Sequence, residues 1–165
     1  MVGTDSSDLE NTVGSVLENY AHKGVFRGFG RVPNQRGKPS FKMQWHHGKT
    51  FVLLFDPKTL TLRFPVLLPE VPANSATHKS FKAYIKSRQH ESLPEHRRVD
   101  RERVTVRTLN RNDAISLSMK SKDGDLEYAT RKLIQLVHEI FLDFLNDGLY
   151  YDYLVDVFDL DVDAV

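Results

Sequence analysis

The chain contains no cysteine. Disulfide scaffolds, thiolate zinc sites and cysteine nucleophiles are excluded together by that one absence. Long hydrophobic runs are missing too. The densest short one is FVLLF at 51–55, far below the length of a membrane span. The opening MVGTDSSDLEN has neither a basic stretch nor an apolar one, so it does not read as a secretory signal. There is no internal repeat and no low-complexity tract. The expectation is a cytoplasmic protein that does not engage a membrane.

What is present is ordinary in amount and unusual in arrangement. The 165 residues are 40% hydrophobic and 27% charged, the balance of a globular protein. That length predicts a single domain over 1–165, with a core from about 6 to 158 and a frayed acidic tail over 159–165. The net charge is only +1, but residues 1–19 carry −4, residues 20–122 carry +14 and residues 123–165 carry −9. Such segregation marks either a charged partner or terminal acidic helices that neutralise a basic middle.

Apolar periodicity predicts the elements. Leu9, Val13, Val16, Leu17 and Tyr20 form a stripe on a helix over 6–23, closed by Gly24. VFRGFGRV (25–32) reads as a strand and PNQRGKPS as a loop. FKMQWHH (41–47) alternates, with Phe41, Met43 and Trp45 on one face and Lys42, Gln44 and His46 on the other. FVLLF is apolar on both faces, which predicts a doubly covered central strand. LTLRF (60–64) alternates again, and Pro65, Pro69 and Pro72 are expected to end the sheet region. Connections this short make the strands an antiparallel meander.

A basic helix follows over 75–90, then a polar connection, then a hairpin from RVTVRTL (103–109) and AISLSMK (114–120). From Asp125, an N-cap, one long helix runs to about Asp147. Gly148 breaks it, and a shorter helix follows. The order α-βββ(β)-α-ββ-α predicts an α+β domain, an antiparallel sheet covered by the N-terminal and long C-terminal helices.

That order, carried by the helix at 6–23, the meander at 25–64, the helix at 75–90, the hairpin at 103–120 and the helix from Asp125, resembles the type III secretion chaperones. It is similar also to the YbjN-like bacterial proteins. The resemblance implies a non-enzymatic binding module, often a homodimer, that holds another polypeptide against its surface. It transfers no site residue. The secretion chaperones are acidic overall, and the basic middle of this chain departs from them.

No motif here carries catalysis or a cofactor. Gly48-Lys49-Thr50 lacks the earlier glycine of a phosphate loop, since Met43 stands there, and a strand follows it instead of a helix. Gly28-Phe29-Gly30 lacks the third glycine of a dinucleotide fingerprint and reads as a bulge. His46 and His47 are adjacent on a predicted strand and point to opposite faces, so they do not converge on one metal. Asp159, Asp161 and Asp163 mimic the start of a calcium loop, but Ala164 stands where its glycine belongs.

Two surfaces remain as candidates. An apolar patch for a protein partner, or for a second copy, is expected around Phe81, Tyr84 and Ile85 or at Tyr150, Tyr151 and Tyr153. Core packing is the competing reading of both. An anionic partner, nucleic acid included, is the alternative. It would meet a basic stripe of Lys82, Lys86, Arg88, Arg97, Arg98 and Arg101, with Lys79 on the same helix, joined by Lys42, His46, Arg63, Arg103 and Arg107 on outward strand positions. Phe29, opposite this face, is the residue expected to stack a base.

Overall fold

The structure is a computed structural model and describes residues 6–35, 38–146 and 150–158. Helix α1 (Ser6–His22) leads into four strands, β1 (Arg27–Gln35), β2 (Lys38–Gln44), β3 (Thr50–Asp56) and β4 (Thr61–Leu68). Helix α2 (Ala76–Ser87) follows, then the hairpin β5 (Val104–Arg111) and β6 (Ala114–Ser121). Helices α3 (Leu126–Glu139) and α4 (Tyr151–Phe158) complete an α+β fold. The strands form one antiparallel sheet in the order β1-β2-β3-β4-β6-β5. Among the described residues no helix is long and apolar enough to cross a membrane.

Local chemistry explains most element ends. Gly24 takes the left-handed conformation (φ 79°) after α1. Its N–H donates to the Ala21 carbonyl, and the Val25 N–H reaches back to the Tyr20 carbonyl, so two orphan acceptors are satisfied. The Ser75 hydroxyl caps α2 by accepting from the His78 N–H at 3.2 Å. The Asp125 carboxylate caps α3 by accepting from the Tyr128 N–H at 3.0 Å. Between β5 and β6, Asn112 and Asp113 both have positive φ (51° and 59°). A two-residue turn with that pair of conformations matches the twist of the strands it joins.

Among the described residues, helices cover one face of the sheet only. On that face Phe41, Met43, Leu53, Phe55, Leu62 and Phe64 are fully buried. Val13 and Leu17 of α1 and Ala129, Leu133 and Val137 of α3 are buried with them. The double covering predicted for FVLLF is therefore corrected: Val52 is 37% exposed and only alternate residues of β3 are fully buried. No described element packs over the other side, so the apolar run serves a one-sided sheet.

Four further expectations change. The loop predicted at 33–40 is mostly strand, since β1 continues to Gln35 and β2 begins at Lys38. Pro65 does not end the sheet. It lies inside β4 at a register shift between Phe64 and Leu68, where a residue without an N–H is tolerated. His46 and His47 leave the strand for a short 3-10 turn, with His47 at φ 56°. The long helix stays continuous to Leu145 but opens into a π-helical turn over Ile140–Phe144, where the Leu145 N–H donates to the Ile140 carbonyl at 2.8 Å. The expected break at Gly148 and the tail 159–165 lie outside the described residues.

Candidate functional site

Register places one row of side chains across the uncovered face. Val32 stands opposite Ser40, Ser40 opposite Leu54, Leu54 opposite Arg63, Arg63 opposite Ser118 and Ser118 opposite Arg107. Strand alternation puts Lys42, Val52, Lys120 and Leu109 on the same side. One acid of this face, Asp56, is held by Lys38 at 3.7 Å. Arg63 is half-buried, and its Nε is enclosed with no hydrogen-bond partner. Among the described residues neither Arg63 nor Arg107 nor Lys120 has a carboxylate partner.

An apolar groove adjoins the row. Beyond the Leu54–Arg63 pair, β3 and β4 no longer pair. A space of about 520 Å³ opens there, lined by Phe51, Val52, Val66, Leu67, Val157 and Phe158 among others. Val66, in the irregular part of β4, is 53% exposed, and Leu109 on β5 is 50% exposed. The uncovered side thus sets exposed aliphatic groups beside Arg63, Arg107 and Lys120, which have no carboxylate partner among the described residues.

The aromatic residues expected at a partner surface are mostly turned inward. Phe81 is fully buried and Ile85 is 5% exposed. Phe81 meets the Phe144 ring edge to face, centroids 5.6 Å apart. Tyr84 is half-buried, and its hydroxyl donates to the Glu139 carbonyl at 3.3 Å. Burial raises its pKa to about 12. Tyr150 stacks on Phe144 at 4.6 Å. Tyr153 donates to the Pro69 carbonyl at 2.6 Å, and burial holds its hydroxyl above the usual phenol range. The side chain of Tyr151 lies outside the described residues. The described members of this set pin α2, α4 and the π-helical turn to one another.

The basic stripe divides in two. Arg88 pairs with Glu139 at 3.4 Å, and Arg97 reaches both Glu139 (3.7 Å) and Asp143 (3.5 Å). Arg103 bridges Asp123 (2.8 Å) and Asp125 (2.7 Å) while its guanidinium lies over the Tyr128 ring at 3.8 Å. Arg98 donates to the Glu91 carbonyl at 3.3 Å. Lys82 and Lys86 on α2 and Arg101 in the connection are exposed without a carboxylate partner among the described residues. Among the described residues, acids of the terminal segments thus engage Arg31, Arg88, Arg97 and Arg103 of the basic middle. Phe29 is turned to the covered side, where its ring stacks on Phe41 at 6.0 Å. It offers no platform to a base on the open face.

A second cluster lies where the turn after β2 meets α3. The His46 ring is sandwiched between Trp45 (4.6 Å) and Phe141 (4.1 Å), and its Nε2 is enclosed without a partner. His138 lies 5.9 Å away, ring to ring. Burial lowers the His46 pKa to about 3, with His138 and then His47 adding repulsion, so the ring is neutral at pH 7. Sequence alternation places His46 outward with Lys42 and Gln44, and this is corrected: the turn at His47 rotates the ring into the core. Among the described residues no group of three or more His, Asp or Glu side chains is arranged to hold a metal.

The signal that sequence reasoning misses is Arg63 with Ser118. Both stand in plain alternation, but only strand order brings them together. No protein-family model matches the chain. No curated protein is significantly similar to it, and no solved structure matches its fold.

Proposed function

We propose that this chain is a non-enzymatic, chaperone-like protein-binding module, acting in the cytoplasm as a homodimer. The observation that carries the reading is the uncovered sheet face, with Val52 and Val66 exposed along an apolar groove and Leu109 exposed on β5. Exposed aliphatic surface on a folded domain is retained where another polypeptide covers it. A sheet face with a groove suits an extended chain better than a small ligand, which prefers an enclosed pocket.

The order of elements supports the same reading, since it resembles that of the secretion chaperones and the YbjN-like proteins. The chaperone-like action and the homodimer come from that resemblance. The dimer interface is expected away from the open face, because two copies of a cationic face repel one another.

Binding of a fluorescent, permanently unfolded polypeptide (reduced and carboxymethylated), followed by anisotropy, tests the module. Saturable binding that is lost on Val66→Asp and Leu109→Asp is expected. No binding at any salt concentration would sink the reading. Light scattering on the purified chain at low and high salt tests the dimer; a monomer under both conditions removes that part.

A further inference from the structure

We propose that Arg63, Ser118, Arg107 and Lys120 form a carboxylate-binding site for an acidic, extended segment of a partner protein. The inference rests on the protein-binding reading and names the chemistry of its partner.

Register makes the site. Arg63 and Arg107 flank Ser118 on neighbouring strands and the same face. With strands about 4.8 Å apart, the two arginines stand about 10 Å from one another across the serine. Lys120 is two residues along β6 from Ser118, about 7 Å away on that face. Three cations thus surround one hydroxyl donor. None has a carboxylate partner among the described residues, and the neighbouring Asp56 is engaged by Lys38. The Arg63 Nε is enclosed without an acceptor, while the residue as a whole is half-buried, so a carboxylate from outside meets the rest of the guanidinium, whose fork suits it.

Three occupants compete, and geometry separates them. A second copy placed face to face would set Arg63, Arg107 and Lys120 against themselves. Nucleic acid would favour stacking platforms, but Phe29 is turned to the covered face, and the named residues of the row are aliphatic, hydroxylic or cationic. An acidic peptide strand with alternating aliphatic residues matches what is left. Its carboxylates meet the arginines, and its apolar side chains meet Leu54, Val52 and the groove beside Val66.

The test uses the full chain and three labelled probes, read by fluorescence anisotropy at low salt. They are a Glu/Val alternating peptide, a Thr/Val peptide of equal length, and a uridine oligonucleotide. Expected are preference for the Glu/Val peptide and roughly tenfold weaker binding for Arg63→Gln and for Arg107→Gln separately. Lys82→Gln on α2 is expected to leave it unchanged. Equal binding of the Thr/Val peptide overturns the carboxylate site and leaves the protein-binding reading standing. Undiminished binding by both arginine variants overturns the site likewise. Tighter binding of the oligonucleotide, lost in Arg63→Gln, reassigns the face to nucleic acid. Failure of all three probes removes both the inference and the reading beneath it.

Discussion

The His46 ring lies flat on the Phe141 ring, with centroids 4.1 Å apart and planes 8° apart. This contact joins the turn between β2 and β3 to the π-helical turn that ends α3. It also holds an imidazole where protonation is unfavourable. The folded pKa is about 3, against 6.5 for an ordinary histidine. Between those values the unfolded chain binds more protons than the folded one, so stability is present above pH 6.5 and is lost as pH falls. A drop from about pH 7 to about pH 4.5 is expected to remove on the order of 2 kcal/mol through this group. His46→Phe keeps the stack and is expected to flatten that part of the profile. Urea unfolding at several pH values decides, and an unchanged slope in the variant rejects the assignment.

Tyr153 ties α4 to the end of β4 through the Pro69 carbonyl. Tyr153→Phe removes the donor and leaves a partly buried carbonyl unpaired. The expected cost is about 1 kcal/mol. Hydrogen exchange should accelerate over Tyr151–Phe158 while the β3 and β6 amides keep their protection. Uniform acceleration would mean that α4 opens only with the whole fold.

Glu139 draws in Arg88 and Arg97 from the basic connection. Glu139→Gln is expected to free Arg88 and to leave Arg97 with Asp143 alone, and so to delay elution from a heparin column to higher salt. Stability should fall by about 1 kcal/mol, because Arg88 and Glu139 are largely shielded from water. Unchanged retention would show that these arginines are available to polyanions already.

Asp125 does two jobs, capping α3 and accepting from Arg103. Asp125→Ala removes both and is expected to cost about 1 kcal/mol or somewhat more. Asp125→Asn keeps the cap and loses the charge, so it should cost less than half as much. Denaturant midpoints for the two variants give the comparison, and equal losses would place the value in the ion pair.

Features that depend on neighbours in sequence are legible in the chain itself. Gly24, Ser75 and Asp125 end or begin helices through bonds reaching no more than a few residues. The Asn112-Asp113 turn sets the β5–β6 hairpin in the same local way. The α+β class follows from periodicity, since a helical stripe and a strand alternation are written at different spacings.

The failures share a cause. FVLLF is apolar throughout, and whether its second face is covered depends on where the helices go, which the run itself does not encode. Pro65 reads as a stop, but a register shift against β6 lets the strand pass it. Alternation points His46 outward, and one left-handed residue after it turns the ring inward. The aromatic sets at 81–85 and 150–153 have the composition of a docking patch or of a core; packing buries Phe81 and Ile85 and leaves Tyr84, Tyr150 and Tyr153 partly buried.

By itself, then, the sequence determined the elements, their caps and turns, the antiparallel meander and the uneven distribution of charge. All of these are short-range properties of the chain. Tertiary structure alone decided which charges cancel and which stay open. Arg88 and Glu139 meet across 51 positions of sequence, a pairing no local pattern announces. Arg63, Ser118 and Arg107 become neighbours only because β6 inserts between β4 and β5. Charge that is segregated along the chain is sorted again by the fold, because Coulomb interactions follow distance in space and not position in sequence.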